Sequence, residues 1–166
     1  MMSKQLRKGN KKKLPQANIQ KRTCKRSSET NLIDAPESDY LYIQPSQIPL
    51  SGNGLYTAIP IYKDEIIAIF EGEILTERQI QIRVSKEKDQ YFISKPDGTI
   101  MDSYKTTCFA KYANDAKAYP DSGFRNNAKI AMDDDNDICL IAKSAIKANQ
   151  EIYCSYGWKY WKKHGR

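Results

Sequence analysis

The chain has 166 residues, 27 Lys and Arg against 20 Asp and Glu, a formal net charge of +7 and an isoelectric point near 9.1. Its length suits one domain with one modest core, and its longest apolar runs, Ile66–Phe70 and Ile138–Ala142, fall far short of the ~20 residues that a membrane helix needs. With no apolar segment behind the basic N-terminus and no close cysteine pairs, a membrane protein, a collagen-like chain and a disulfide-stapled secreted module are poor readings.

The charge is uneven. Residues 1–30 hold ten basic side chains against Glu29, a net of +9, which leaves about −2 for residues 31–166. This stretch has no aromatic residue and no apolar periodicity. It reads as a disordered basic tail that could serve as a solubility extension, as a contact for an import receptor, or as non-specific attraction to nucleic acid. Residues 31–39 read as a linker, 40–162 as the folded body and 163–166 as a basic C-terminal end. Cys24, Cys108, Cys139 and Cys154 form no Cys-x-x-Cys pair and the one histidine is His164, so the cysteines read as free thiols in a reducing compartment, with no metal site.

From residue 40 the chain reads as short strands with little helix, a β-rich α+β domain. Leu41–Ile43 is β-prone, and Pro45, Pro49 and Ser51–Gly54 mark turns. Taken alone, the Gly52-x-Gly54 pair suggests a hairpin turn. Leu55–Ile61 and Ile66–Leu75 suggest two strands joined by a tight turn at Lys63-Asp64-Glu65. Thr76-Glu77-Arg78-Gln79 has the pattern of a capping box, which predicts a helix of about ten residues with Ile80 and Val84 on one face. Tyr91–Ile93 and Thr99–Met101 read as strands about a Pro96-Asp97-Gly98 turn, with Asp102 ending the second. The polar stretch Asp115–Arg125 reads as a loop, Ile138–Ala142 and Glu151–Ser155 as strands, and Trp158–Lys163 as a terminal helical turn.

Four segments occur in a telling order. They are Gly52-Asn53-Gly54-Leu55-Tyr56; Ile66 with Ile69–Ile74; Met101-Asp102 with Ala110–Ala116; and Asn127–Ile130 with Glu151–Gly157. Together they resemble the SET domain family of protein lysine methyltransferases, over about residues 40–162. The resemblance implies a SET-type β-sheet fold with a C-terminal pseudoknot, and S-adenosylmethionine and a substrate lysine approaching from opposite faces through a narrow channel. It implies that Gly52, Asn53, Gly54, Leu55 and Tyr56 form the cofactor's glycine turn and that Tyr91 is a cofactor-side tyrosine. Asn114 and Asp115 stand for the cofactor-binding Asn-His pair, with Ala116 in place of Ser. Tyr156 is the catalytic tyrosine, which also borders the cofactor. Phe70, Asn127, Ile130 and Cys154 fall on the substrate channel, with Phe70 where a tyrosine is common and the small Cys154 at a position that governs methyl number. One ring of Trp158, Tyr160 and Trp161, Trp158 being the expected one, stacks on adenine. Asp115 departs from the usual histidine: a carboxylate accepts hydrogen bonds but donates none.

The implied activity is S-adenosylmethionine-dependent protein-lysine N-methylation, with histones as one candidate substrate, the nucleus as its expected place and the cytoplasm as the alternative. A non-catalytic SET-like binding module and a basic-tailed chromatin or nucleic-acid adaptor are the alternatives.

Overall fold

The computed structural model describes residues 31–165; the reading of residues 1–30 as a disordered tail therefore lies outside the described residues. Nine short strands form three antiparallel three-stranded sheets. The first has the order β1 (Leu41–Pro45), β2 (Asn53–Thr57), β9 (Glu151–Ile152). The second has β3 (Ile66–Ile69), β8 (Ile138–Ala142), β7 (Ala128–Met132). The third has β4 (Glu73–Leu75), β6 (Ile100–Asp102), β5 (Phe92–Ser94). Three helices accompany them: a single turn α1 (Glu37–Tyr40), α2 (Glu77–Ser85) and α3 (Gly157–His164). This is the strand-rich architecture with little helix that the sequence predicts. Among the described residues no helix is long and apolar enough to cross a membrane.

The core lies between the first two sheets. Leu55, Ile67, Leu140 and Ile152 lose all contact with water there. Each such side chain stabilises the fold by about 1.5–3 kcal/mol. Cys108, Cys139 and Cys154 are buried free thiols.

Three expectations are corrected. The segments around Lys63-Asp64-Glu65 do not form a hairpin: β2 pairs with β1 and with the chain-distant β9, while β3 pairs with β8. The run Ile66–Leu75 is also broken at Glu71-Gly72 into β3 and β4, which belong to different sheets. The break is steric. A Cβ on Gly72 would sit 2.7 Å from the Asp102 carbonyl oxygen, so the chain passes where only glycine fits. Residues 31–39, expected as a linker, pack into the body. Ile66 N donates to Asn31 O at 2.9 Å, Leu32 bridges Ile66 in parallel, and Ile33 enters the core. They cover the open edge of β3. The Tyr40 hydroxyl donates to Ile67 O (2.9 Å), and Ile69 N donates to the Glu37 carboxyl (2.8 Å).

The capping box forms in full. Gln79 N donates to Thr76 Oγ1, and Thr76 N donates to Gln79 Oε1 at 2.8 Å. The helix that follows has nine residues and buries none of them, Ile80 and Val84 included. It is held by its ends and by charge: the Arg83 guanidinium donates to both Asp102, at the end of β6, and Glu73, at the start of β4. With so little packing, local chemistry governs this element. Thr76→Ala is expected to cost about 1 kcal/mol of local stability. Amide exchange at Ile80–Arg83 should accelerate roughly fivefold, while the global denaturation midpoint scarcely moves.

Candidate functional site

The site is made by threading. The segment Glu151–Tyr156 runs between residues 113–115 on one side and 127–128 on the other. Cys154 N donates to Asn114 O at 2.9 Å, and Asn127 N and Ala128 N both donate to Tyr153 O at 3.1 and 2.9 Å. Asn114 therefore pairs in parallel with Tyr153, and Ala128 with Cys154. Asn127 completes the seam with its side chain. Its Nδ2 donates to Glu151 O at 2.9 Å and its Oδ1 accepts from Tyr153 N at 2.8 Å. A side-chain amide carries a donor and an acceptor with nearly the spacing of a peptide unit, so asparagine acts here as an extra piece of strand.

Below the seam lies Glu151, with none of its surface exposed. A buried carboxylate survives only when its lone pairs are met. Ser46 Oγ donates to Oε1 at 2.6 Å, and Asn114 Nδ2 makes a longer contact with the same atom at 3.4 Å. Gln47 N, the Tyr56 hydroxyl and the Tyr153 hydroxyl donate to Oε2 at 2.7, 2.9 and 2.8 Å. Burial and the adjacent carboxylate push the Tyr56 phenol up to about 12 and the Tyr153 phenol higher still. Gly54 lies directly over this anion, and a Cβ there would stand 2.1 Å from Oε1.

The glycine turn and Asn114 meet above Glu151, where Asn114 Nδ2 donates to Asn53 O at 3.0 Å. Gly52 holds a left-handed φ of +70°, and an added Cβ would meet nothing within 4 Å. The turn is tied back by Ser46 N donating to Gly52 O at 2.8 Å and keeps an open side at Gly52, next to the Asn114 amide. Such a lining suits the polar amino-acid end of S-adenosylmethionine, and the residues present fit that group. Leu55 and Tyr56 are core residues instead: the first is packed among apolar neighbours and the second holds Glu151.

Tyr156 follows the threaded strand. Its hydroxyl donates to Ala113 O at 3.1 Å, a carbonyl that also accepts from Cys154 Sγ at 3.4 Å, and its backbone N donates to Asp115 Oδ2 at 2.9 Å. Burial pushes its phenol well above the usual range, helped by the neighbouring Cys154, Tyr160, Asp115 and Tyr91. The α3 helix then folds back over it. Tyr160 meets the Tyr156 ring edge-on at 4.8 Å and Trp161 stacks on it at 5.8 Å. At the far end of α3, Lys163 and His164 reach the buried Asp89 carboxylate, His164 at 3.6 Å. Of the basic C-terminal end read at 163–166, residues 163 and 164 belong to this helix.

Trp158 points to solvent, 68% exposed, with the Lys162 ammonium 5.8 Å from its ring. The indole that turns inward is Trp161, one helical turn later. Phe70 and Cys154 are buried in the core, Ile130 lies on β7 against it, and Asn127 is taken by the seam. Tyr91 stands 5.7 Å from Tyr104, and burial raises its phenol with help from Tyr112 and Tyr104. Tyr91, Tyr104, Tyr112, Tyr156 and Tyr160 thus gather on one side of the site, a grouping that sequence reasoning missed. Only their density between residues 91 and 112 hinted at it. The stretch Asp115–Arg125, expected as a plain loop, carries two 3-10 turns, Ala116–Ala118 and Pro120–Ser122. It is closed by Ala116 N donating to Asn126 Oδ1 at 2.8 Å.

The family model described as SET domain matches residues 52–157, which spans the glycine turn, the seam and the tyrosine. The chain belongs to the SET domain family. Histone-lysine N-methyltransferase mes-2 of Caenorhabditis elegans is similar to it, 27% identical over 120 residues; that stretch is 70% of this chain and 15% of the relative, so the chain spans only a small part of that protein's length.

The contact between Gly54 and Glu151 yields a coupled prediction. Gly54→Ala alone should cost about 1–3 kcal/mol, because the pinned carboxylate cannot retreat. In a Glu151→Ala background that cost should largely vanish, since the obstructing atoms are gone. Urea denaturation of the wild type, both single variants and the double variant measures the coupling.

Proposed function

We propose that the protein is an S-adenosylmethionine-dependent protein-lysine N-methyltransferase, that residues 40–162 form its methyltransferase unit, and that histone tails are its substrate class, which would place it in the nucleus. The observation that carries this reading is the state of Tyr156. Its hydroxyl donates to the carbonyl of Ala113, so the phenol oxygen keeps its lone pairs as acceptors, and the next residue in the chain, Asn114, is the one whose amide meets the glycine turn.

When bound, S-adenosylmethionine supplies an electrophilic methyl group on a positive sulfur. The remaining work falls to the protein. Gly52 and Asn53 would offer backbone to the amino-acid end of the cofactor, with Asn114 adding its amide. A lysine amine has a reference pKa near 10.4, so only ~0.1% of it is neutral at pH 7.4. Passage between Tyr91, Tyr104, Tyr112 and Tyr160 would strip water from the ammonium and favour the neutral form. Tyr156 would then accept an N–H of the amine and orient its lone pair. The phenol does this as a neutral group, because burial holds its proton on. Alignment dominates such a reaction, and no separate acid or base is required.

Three expectations follow. Saturating S-adenosylmethionine, at about 100 times its Kd, should stabilise the protein by ~2.7 kcal/mol; if the melting temperature does not rise, the binding-module reading takes over. Labelled methyl should pass from the cofactor to histone-tail lysines, and Tyr156→Phe should cut kcat about 100-fold with cofactor affinity kept. The kcat of the wild type should climb with pH as the substrate amine loses its proton. It should show no descending limb below about pH 10, since ionisation of Tyr156 lies above the ordinary tyrosine value.

A further inference from the structure

Asp115 stands where the family resemblance implies histidine, and its surroundings give it a different task. A carboxylate offers about four lone-pair sites and no proton. In this protein four donors take them. Lys117 N and Asn126 Nδ2 donate to Oδ1 at 2.9 and 2.8 Å, and Tyr156 N and Trp161 Nε1 donate to Oδ2, both at 2.9 Å. The residue is 2% exposed. One oxygen therefore closes the residue's own loop, and the other grips the C-terminal segment.

The two groups on Oδ2 flank the same ring. Tyr156 N sets the start of the tyrosine, and the Trp161 indole lies stacked on its phenol ring with 19° between the planes. Two residues before Asp115, Ala113 O holds the hydroxyl. The short stretch from Ala113 to Asp115 thus holds Tyr156 at its backbone, its hydroxyl and one face of its ring. A neutral imidazole has one donor and one acceptor, so histidine could not receive both Oδ2 donors as well as the two on Oδ1. Charge-assisted bonds are also roughly twice as strong as neutral ones.

We propose that Asp115 is a positioning residue for Tyr156, acting through the Tyr156 backbone and the docked Trp161, and not a ligand of the cofactor's adenine. The proposal rests on the methyltransferase reading above but has a readout that does not depend on it. The chain has two tryptophans, so Trp158→Phe leaves Trp161 as the one tryptophan of the full-length protein, read by exciting at a wavelength that tyrosine does not absorb. Asp115→Asn keeps the shape, removes the charge and turns one acceptor into a donor that faces two donors. In that background it should shift Trp161 emission and make it at least twice as quenchable by acrylamide. In the otherwise native chain it should lower kcat about 100-fold while the Kd for S-adenosylmethionine, by calorimetry, changes less than threefold. Trp161→Phe keeps the ring and deletes the N–H. It should lower kcat five- to tenfold, and its effect should be far smaller when Asp115→Asn is already present.

The opposite split overturns the proposal: affinity for the cofactor lost tenfold or more, with kcat at saturation unchanged. Unaltered Trp161 quenching in Asp115→Asn overturns it too, even if the wild type methylates nothing and the parent reading has failed. Should Asp115→Asn not fold, Trp161→Phe decides, and an unchanged kcat in that variant overturns the proposal.

Discussion

The whole arrangement depends on one buried carboxylate. Glu151 starts the strand that is threaded through the molecule, and its side chain is held by donors from residues 46, 47, 56, 114 and 153. These donors come from four separate stretches of chain. Leaving a buried donor without an acceptor costs about 1–3 kcal/mol, so each stretch is penalised for drifting away from the anion. Glu151 thus sets the distance between the glycine turn and Asn114, and it does so from beneath, where nothing bulkier than Gly54 fits. The geometry of the site and the closure of the fold are one network.

That network explains why the C-terminal segment can be threaded at all. A strand pulled between two loops gains few regular ladder bonds: β9 has only two residues. The deficit is met by Asn127, whose amide pairs with both Glu151 O and Tyr153 N. Tyr153 adds a ring contact with Phe124 at 5.4 Å, and that contact belongs to a small separate core with Ile48 and Ala116. The stretch between Asn114 and Asn127 is therefore not idle length. Its 3-10 turns bring Phe124 and Asn126 back to the seam.

What could be read from the chain follows the range of the forces involved. The capping box at Thr76 was legible because four adjacent residues carry all of it. So was the end of β6 at Asp102. The partner of β2 was not legible, because Leu55 meets Ile152 across nearly a hundred residues and short apolar runs pair with several others equally well. The role of Glu151 was hidden for a related reason: a buried glutamate and a surface glutamate look alike in one dimension. For α3 the periodicity was present but the anchor was missing. Tyr160 and His164, four residues apart, share a face with ring centroids 4.7 Å apart, with Trp161 beside them. Trp158 lies one turn earlier with no acceptor to meet, whereas Trp161 reaches Asp115. The inward indole could be chosen only once that carboxylate was known to lie beneath it.

The tyrosines connect this architecture to chemistry. A residue that must hold a neutral amine in place should not itself carry charge, and burial is the simplest way to secure that. Tyr91, Tyr156 and Tyr160 all have phenols raised chiefly by burial, with neighbouring tyrosines adding to the shift. Among the described residues, the Tyr156 hydroxyl is partnered by the Ala113 carbonyl and by no histidine or carboxylate. A backbone carbonyl cannot take a proton at neutral pH, so it fixes the direction of the O–H without competing for it. The charged groups are kept one step back: Asp115 faces N–H donors only, and Asp89 is turned toward Lys163 and His164. Under the proposed function, the surface met by a substrate lysine would therefore be aromatic and oriented. Such a surface favours the uncharged amine by withholding water, and a carboxylate placed within reach of the amine would undo this by stabilising the ammonium instead.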